Sequence, residues 1–323
     1  MLRTVILAAA RSSRVERLVE TFPPSRAVVD RFVAGPVVAD AVRVARELVD
    51  DGLAVTLDHL GEDDGGADPA ASPPSRPGAP ATTLAHAEAG RDAYLTLLDA
   101  LDTGRLTPTA EVSVKLSALG QRVDDQLALE YARSICARAA EVGTTVTLDM
   151  ENHAGTDATL EVLGRLRADF PTVGVAVQAY LRRSEADCRE LAAAGVRVRL
   201  CKGAYAEPES VAYPTRLEVD RSYVRCLNLL MAGPGYPMVA THDPRLIAIA
   251  ENRAKWFGRS PDQFEFQLLY GVRPDEQRRL AREGYTARVY VPYGTQWYAY
   301  LMRRLAERPA NLAFFLRAVR SRK

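Results

Sequence analysis

With 323 residues, 47% of them hydrophobic, the chain can bury one large core or two of ordinary size. Its 42 Lys and Arg against 41 Asp and Glu give a formal net charge of +1, so no basic nucleic-acid footprint is present and no nucleic-acid partner is expected. No uncharged apolar run of about 18 residues occurs, and the apolar run Thr4–Ala10 is followed by Arg11 and Arg14, so neither a membrane span nor a secretory signal is expected.

In chain order, the first 50 residues place apolar and charged positions at helical spacing, as in VERLVETF and ADAVRVARELVDDG. They read as an N-terminal helical segment, 1–50, that stops near Gly52. LAVTLDHLGE follows as a first strand. The stretch DDGGADPAASPPSRPGAPATT has little to bury and many residues that resist regular structure, so a mobile surface loop is expected over 61–85. Beyond it short β-branched runs alternate with helical segments such as QLALEYARSICARAAEVG. The predicted strands are Leu53–Asp58, Glu111–Lys115, Thr145–Asp149, Val173–Gln178, Val196–Cys201, Pro237–Thr241, Phe264–Leu268 and Ala287–Val291. Strict alternation implies a parallel sheet with helices outside. An open doubly wound sheet with a glycine-rich first turn has no support, since neither GxGxxG nor a P-loop occurs. Eight units point to a closed (β/α)8 TIM barrel of the α/β class over 51–323, preceded by helices.

A barrel carries its chemistry at the C-terminal ends of its strands. Polar residues cluster there: Asp58 and His59, Lys115 and Ser117, Asp149 with Glu151 and His153, Gln178 and Tyr180, Arg199 with Lys202 and Tyr205, Thr241 to Asp243, Gln267 and Tyr270, and Tyr290. In PYGTQWYAYLMRRLAER, Gly294 supplies a turn and Thr295 an N-cap. Tyr300, Arg303, Arg304 and Glu307 then share one helix face. Two neighbouring guanidinium groups suit a planar carboxylate, and the same residues would also serve as an ordinary solvated face. Three chemistries remain open at this point. Asp149, Glu151, His153, His242 and Asp243 could serve a metal-dependent lyase. Lys115 or Lys202 could serve a Schiff-base aldolase. Gln178, Arg199, Lys202 and Gly203 could hold a flavin, which needs hydrogen bonds to its ring and positive charge or free amides at its pyrophosphate. The cysteines Cys136, Cys188, Cys201 and Cys226 include no C-x-x-C pair, and unpaired thiols suit a reducing cytoplasm.

RFVAG, VTLDHLGE, VSVKLSALG, LDMENH, VAVQAYLRR, RLCKGAY, ATHDPR, EFQLLYG, VYVPYG and YLMRRLAER occur in this order, from Phe32 onward. Through them the chain resembles the proline dehydrogenase family, in its single-function bacterial form. RLCKGAY and YLMRRLAE are the most specific of these pieces. The resemblance implies a distorted (β/α)8 barrel that binds FAD and oxidises L-proline to Δ1-pyrroline-5-carboxylate. It also implies a membrane quinone as electron acceptor, a pyrroline-5-carboxylate dehydrogenase as a possible partner, and a cytoplasmic enzyme that visits the membrane surface. By position, Arg303 and Arg304 resemble the clamp on the proline carboxylate, supported by Glu307. Lys115, Asp149, Tyr205, Leu269, Tyr290 and Tyr300 resemble the rest of the substrate shell. Arg199 resembles the arginine beside flavin N5, and Gln178 a ring hydrogen bonder. Lys202, Gly203, Ala204, Thr241 and His242 resemble further FAD contacts. Lys115 and Asp149 are expected to pair.

Overall fold

The computed structural model describes residues 29–61, 80–298, 300 and 301. Eight parallel strands close into a barrel in sequence order: β1 (Ala54–His59), β2 (Ala110–Val114), β3 (Val146–Leu148), β4 (Gly174–Gln178), β5 (Arg197–Cys201), β6 (Tyr236–Ala240), β7 (Glu265–Leu269) and β8 (Thr286–Tyr293). β8 returns to β1 with Thr56 opposite Tyr290 and Asp58 opposite Pro292, which completes the closure. The (β/α)8 expectation therefore holds, and the strand boundaries agree with the sequence reading to within two residues.

Helices alternate with the strands: α1 (Val38–Asp50), α2 (Pro80–Thr103), α3 (Asp125–Glu141), α4 (Thr156–Arg167), α5 (Ser184–Ala193), α6 (Arg216–Ala232), α7 (Pro244–Trp256) and α8 (Pro274–Arg282). Several start where the sequence supplies a cap. Asp124 accepts from Gln126 N at 2.8 Å, and Thr215 and Glu218 form a capping box. Asp243 caps α7 with Pro244 in its first turn, where a missing N–H costs nothing. α1 buries Ala41, Val44 and Ala45 and packs on β1 and β8, so this part of the N-terminal segment belongs to the same core. α2 begins at Pro80, inside the span expected to be loop. Proline is suited to a first helical turn, and the TTLAHAEAG that follows continues the helix. Residues 62–79 of that expected loop lie outside the described residues.

Each strand is buried on both faces, and the two faces differ. Val112, Val114, Val198, Leu200, Phe266, Leu268, Val289 and Val291 are buried in the apolar core cluster, shared with the helices. The alternate positions Glu111, Ser113, Arg199, Glu265, Gln267 and Arg288 are buried and polar. Because strand side chains alternate faces, these point into the barrel, which is more commonly filled with branched apolar residues. The apolar core is thus a shell between strands and helices around a polar centre.

After β8 the chain turns at Gly294, whose φ of +127° and whose closeness to the Leu60 carbonyl leave no room for a side chain. Helical geometry resumes at Trp297, so the position before the helix belongs to Gln296 and not to Thr295. Gln296 N donates instead to Leu60 O at 3.1 Å, which ties the turn to the end of β1. The four cysteines are unpaired thiols.

Candidate active site

Asp149, immediately after β3, stands at the centre of the barrel mouth. Its N–H donates to Val114 O at 2.8 Å, which extends the β2–β3 ladder by one residue and points the carboxylate inward. Oδ1 accepts from Arg199 Nη1 at 2.6 Å and from Ser113 Oγ at 2.8 Å. Oδ2 accepts from the Tyr290 hydroxyl at 2.7 Å. Arg199 also lies over the Tyr290 ring, 5.2 Å from its centre, a cation–π contact. Strands β2, β3, β5 and β8 thus converge on one carboxylate.

Lys115 joins this group with a different first partner than expected. Its ammonium donates to Asp58 Oδ1 at 2.6 Å and lies 3.8 Å from Asp149 Oδ2. Asp58 ends the buried stretch of β1 beside Tyr94, and its carboxylate is the nearer one. The sequence shows Asp58 at a strand end, but nothing there ranks it above Asp149 as a partner.

Electrostatics follow from the burial. Desolvation pushes the Asp149 carboxyl up, but Arg199, Lys115 and the bonds from Tyr290 and Ser113 outweigh it and hold it below the ordinary value. Burial, with Asp149 and Asp58 nearby, pushes the Tyr290 hydroxyl well up, so it remains a neutral donor. Burial disfavours the Arg199 charge, and Asp149, Tyr290, Glu111 and Glu265 more than restore it.

A second charged layer lies below the first. Glu111 bonds Arg197 Nη2 at 2.9 Å and Thr56 Oγ1 at 3.0 Å, with Arg199 and Arg288 each 3.9 Å away. Glu265 accepts from Arg288 Nε at 2.8 Å and from Gln267 Nε2 at 2.5 Å. Ion pairs and hydrogen bonds therefore link four carboxylates, Asp58, Glu111, Asp149 and Glu265, with four cations, Lys115, Arg197, Arg199 and Arg288. The opposite charges offset burial that would be costly for any one of them alone.

The other predicted residues fall into two neighbouring groups. Lys202 pairs with Asp220 at 2.5 Å and Asp243 at 3.2 Å, and Thr241 Oγ1 accepts from Asp243 N at 3.2 Å. His242 Nε2 accepts from Leu269 N at 2.9 Å, which sets its ring neutral with the proton on Nδ1. Tyr205 packs with Tyr180, Leu181 and Ala212, and Gly203 adjoins Tyr180, with half-buried Ala204 between the two. Tyr300 is buried. Arg303, Arg304 and Glu307 lie outside the described residues. Gln178 Oε1, whose amide donates to Met150 O at 3.2 Å, and Arg199 Nη2, 3.9 Å from Glu111 Oε1, are among the buried polar atoms without a hydrogen-bond partner among the described residues.

Gly203 also has a packing role. Its φ is +100°, and a Cβ there would run into the Tyr180 ring. The absent side chain makes room for a tyrosine. Gly203→Ala should therefore cost about 1–3 kcal/mol through left-handed strain and overpacking, read as a lower thermal midpoint. An unchanged midpoint would show that Tyr180 moves aside freely.

The competing chemistries lack matching geometry. Among the described residues no three His, Cys, Asp or Glu side chains converge as metal ligands. Glu151 is bonded to Ser117, His153 to Glu207, His242 to Leu269 and Asp243 to Lys202 and Arg245. Lys115 and Lys202 each donate to carboxylates, a contact a nucleophilic amine would have to break.

A family model described as proline dehydrogenase matches residues 41–317. Proline dehydrogenase 1 of Bacillus subtilis (strain 168) is 34% identical over 319 residues, covering 99% of this chain and 99% of the relative. A proline dehydrogenase of Deinococcus radiodurans is 39% identical over 322 residues, covering 98% and 97%. Among solved structures, proline utilization A from Bdellovibrio bacteriovorus inactivated by N-propargylglycine superposes with a TM-score of 0.77 at 25% identity. That match covers 88% of this chain and 33% of the other. With relatives aligned end to end and a mouth built around Asp149, Arg199, Lys115 and Tyr290, the chain belongs to the proline dehydrogenase family.

Proposed function

We propose that this chain oxidises L-proline to Δ1-pyrroline-5-carboxylate, with FAD as its cofactor and a quinone as the final electron acceptor. The observation that carries the reading is the four-strand convergence on Asp149. Its polar wall presents two cations and a neutral phenol beside an aliphatic residue, Leu269, which suits a small zwitterion with an apolar ring.

The residues present fit a flavin. An isoalloxazine offers an imide N–H, and Gln178 Oε1 is a buried acceptor without a hydrogen-bond partner among the described residues, while Arg199 would stand beside the reacting edge. Lys202, Gly203, Ala204, Thr241 and His242 would line the remainder of the cofactor. When bound, the flavin supplies the acceptor for the hydride equivalent leaving proline C5.

The chain's own residues bind and orient. Arg303 and Arg304 grip the carboxylate, supported by Glu307, and Lys115 adds positive charge. Spending binding energy on this non-reacting group fixes C5 in position. Tyr290, Tyr300, Tyr205 and Leu269 enclose the ring. The amine gives up one proton and C5 one hydride equivalent, which leaves a C=N bond. Tyr290 stays neutral and Asp149 stays ionised, so both act as fixed partners. No described helix is long and apolar enough to cross a membrane, and a quinone would be met at the membrane surface of a cytoplasmic enzyme. A pyrroline-5-carboxylate dehydrogenase is the partner that the product calls for.

Arg304→Ala tests the clamp. Losing a charge-assisted contact of about 1.5–3 kcal/mol should raise the proline KM roughly tenfold or more, with bound flavin unchanged. A wild-type KM would remove Arg304 from the site.

A further inference from the structure

Gln267 stands between two charges. Its Oε1 accepts from Arg199 Nε at 2.6 Å, and its Nε2 donates to Glu265 Oε1 at 2.5 Å. Gln267 and Glu265 lie two residues apart on β7, so both side chains enter the barrel. Glu265 is fixed in turn by Arg288 Nε at 2.8 Å, and Arg288 is anchored on the carbonyls of Val55 at 2.9 Å and Thr109 at 3.1 Å. The Gln267 amide has one workable orientation. Turned over, it would set its NH2 against a guanidinium and its oxygen against a carboxylate. A primary amide shows an acceptor to a cation and a donor to an anion without adding charge.

Asp149 and Ser113 hold Arg199 through a single nitrogen, Nη1. Glu111, 3.9 Å from Nη2, and the Tyr290 ring add attraction but no second hydrogen bond, which leaves the guanidinium freedom to turn about Nη1. The bond at Nε comes from β7, which faces β3 across the barrel, and removes that freedom. We propose that Gln267, locked by Glu265, is a positioning residue for the oxidation, setting the plane of the Arg199 guanidinium against the bound flavin. This rests on the reading of Arg199 as the group beside the reacting edge of the cofactor.

The test uses purified holoenzyme carrying Gln267→Met, which keeps the length and loses donor and acceptor. Anaerobic stopped-flow reduction by proline gives the limiting rate and the proline Kd. Spectroelectrochemistry gives the flavin midpoint potential without substrate. The expected result is a limiting rate at least about tenfold lower with Kd within about twofold of wild type. The midpoint potential should move more negative, because a displaced cation stabilises the electron-rich reduced flavin less. Gln267→Glu adds a rescue. Its carboxyl shares one proton with Glu265, so the rate should recover at low pH and fall as pH rises and that proton leaves. A purely packing role would lower the melting temperature without this pH-dependent recovery. Wild-type rate and potential in Gln267→Met, or a change confined to Kd, overturns the proposal. If Gln267→Met does not fold, a pH-independent rate in Gln267→Glu overturns it instead. Wild-type protein without flavin absorption, or with flavin that proline does not bleach, overturns the functional reading and this proposal together.

Discussion

Glu111→Ala should cost about 3–5 kcal/mol of folding stability, because it strands buried cations without their shared anion. Glu111 is 1% exposed and sits among Arg197, Arg199 and Arg288. Burial alone would push its carboxyl up. Arg288, Arg197 and Arg199 reverse this and hold it at about 2. The sign of the pH effect follows. A carboxyl depressed in the folded state contributes stability above its unfolded value of about 4.3. That contribution fades as pH falls from there toward about 2. Urea unfolding of wild type and Glu111→Ala should therefore differ most at neutral pH and converge through this acid window. A neutral-pH difference below about 1 kcal/mol would mean that the arginines find other acceptors, Glu265 first among them.

Arg199→Ala should slow flavin reduction by about two to three orders of magnitude, the usual effect of deleting an aligned donor from a preorganised site. Proline affinity should change less, since the proposed carboxylate clamp consists of other residues, Arg303 and Arg304. Stopped-flow reduction at saturating proline separates the two. The variant should also shift the acid limb of the pH–rate profile. Arg199 is the largest influence holding the Asp149 carboxyl down against burial. Without it Asp149 takes up a proton at higher pH, and the rate should fall off earlier on acidification. Arg199→Lys should not restore the rate, because one ammonium cannot hold Asp149 and Ser113 as Nη1 does and also reach Gln267 as Nε does. A wild-type reduction rate in Arg199→Ala would place Arg199 outside the reaction.

The barrel was legible because both faces of its strands are buried and each short apolar run is followed by a helical period. Asp149, Arg199, Lys115 and Tyr290 were legible because strand ends face the mouth. Less legible were the partners that hold them. Ser113, Asp58, Gln267 and Glu265 support the predicted residues, and no local motif marks them. One signal was present. Glu111-Val-Ser-Val-Lys115, Arg197-Val-Arg199 and Glu265-Phe-Gln267 alternate charge or amide with apolar residues. In an exposed sheet that pattern means one wet face. In strands flanked by helices the apolar parity must face the helices, so the polar parity faces the barrel centre. The start of helix α2 escaped because its Pro, Ala and Thr residues look like the loop before it. The nearer partner of Lys115 depended on distances across the mouth that spacing along the chain does not encode.

The ring-shaped apolar shell bears on redesign. Where a barrel has an oily middle, substitutions there trade volume for volume, and specificity can be altered with little cost to folding. Here the residues beneath the reacting centre are matched ions, and changing one orphans another several ångströms away. Variants made for a bulkier amino acid should therefore alter Leu269, an uncharged member of the proposed substrate shell, and leave the inward-facing positions of β2, β5 and β7 intact.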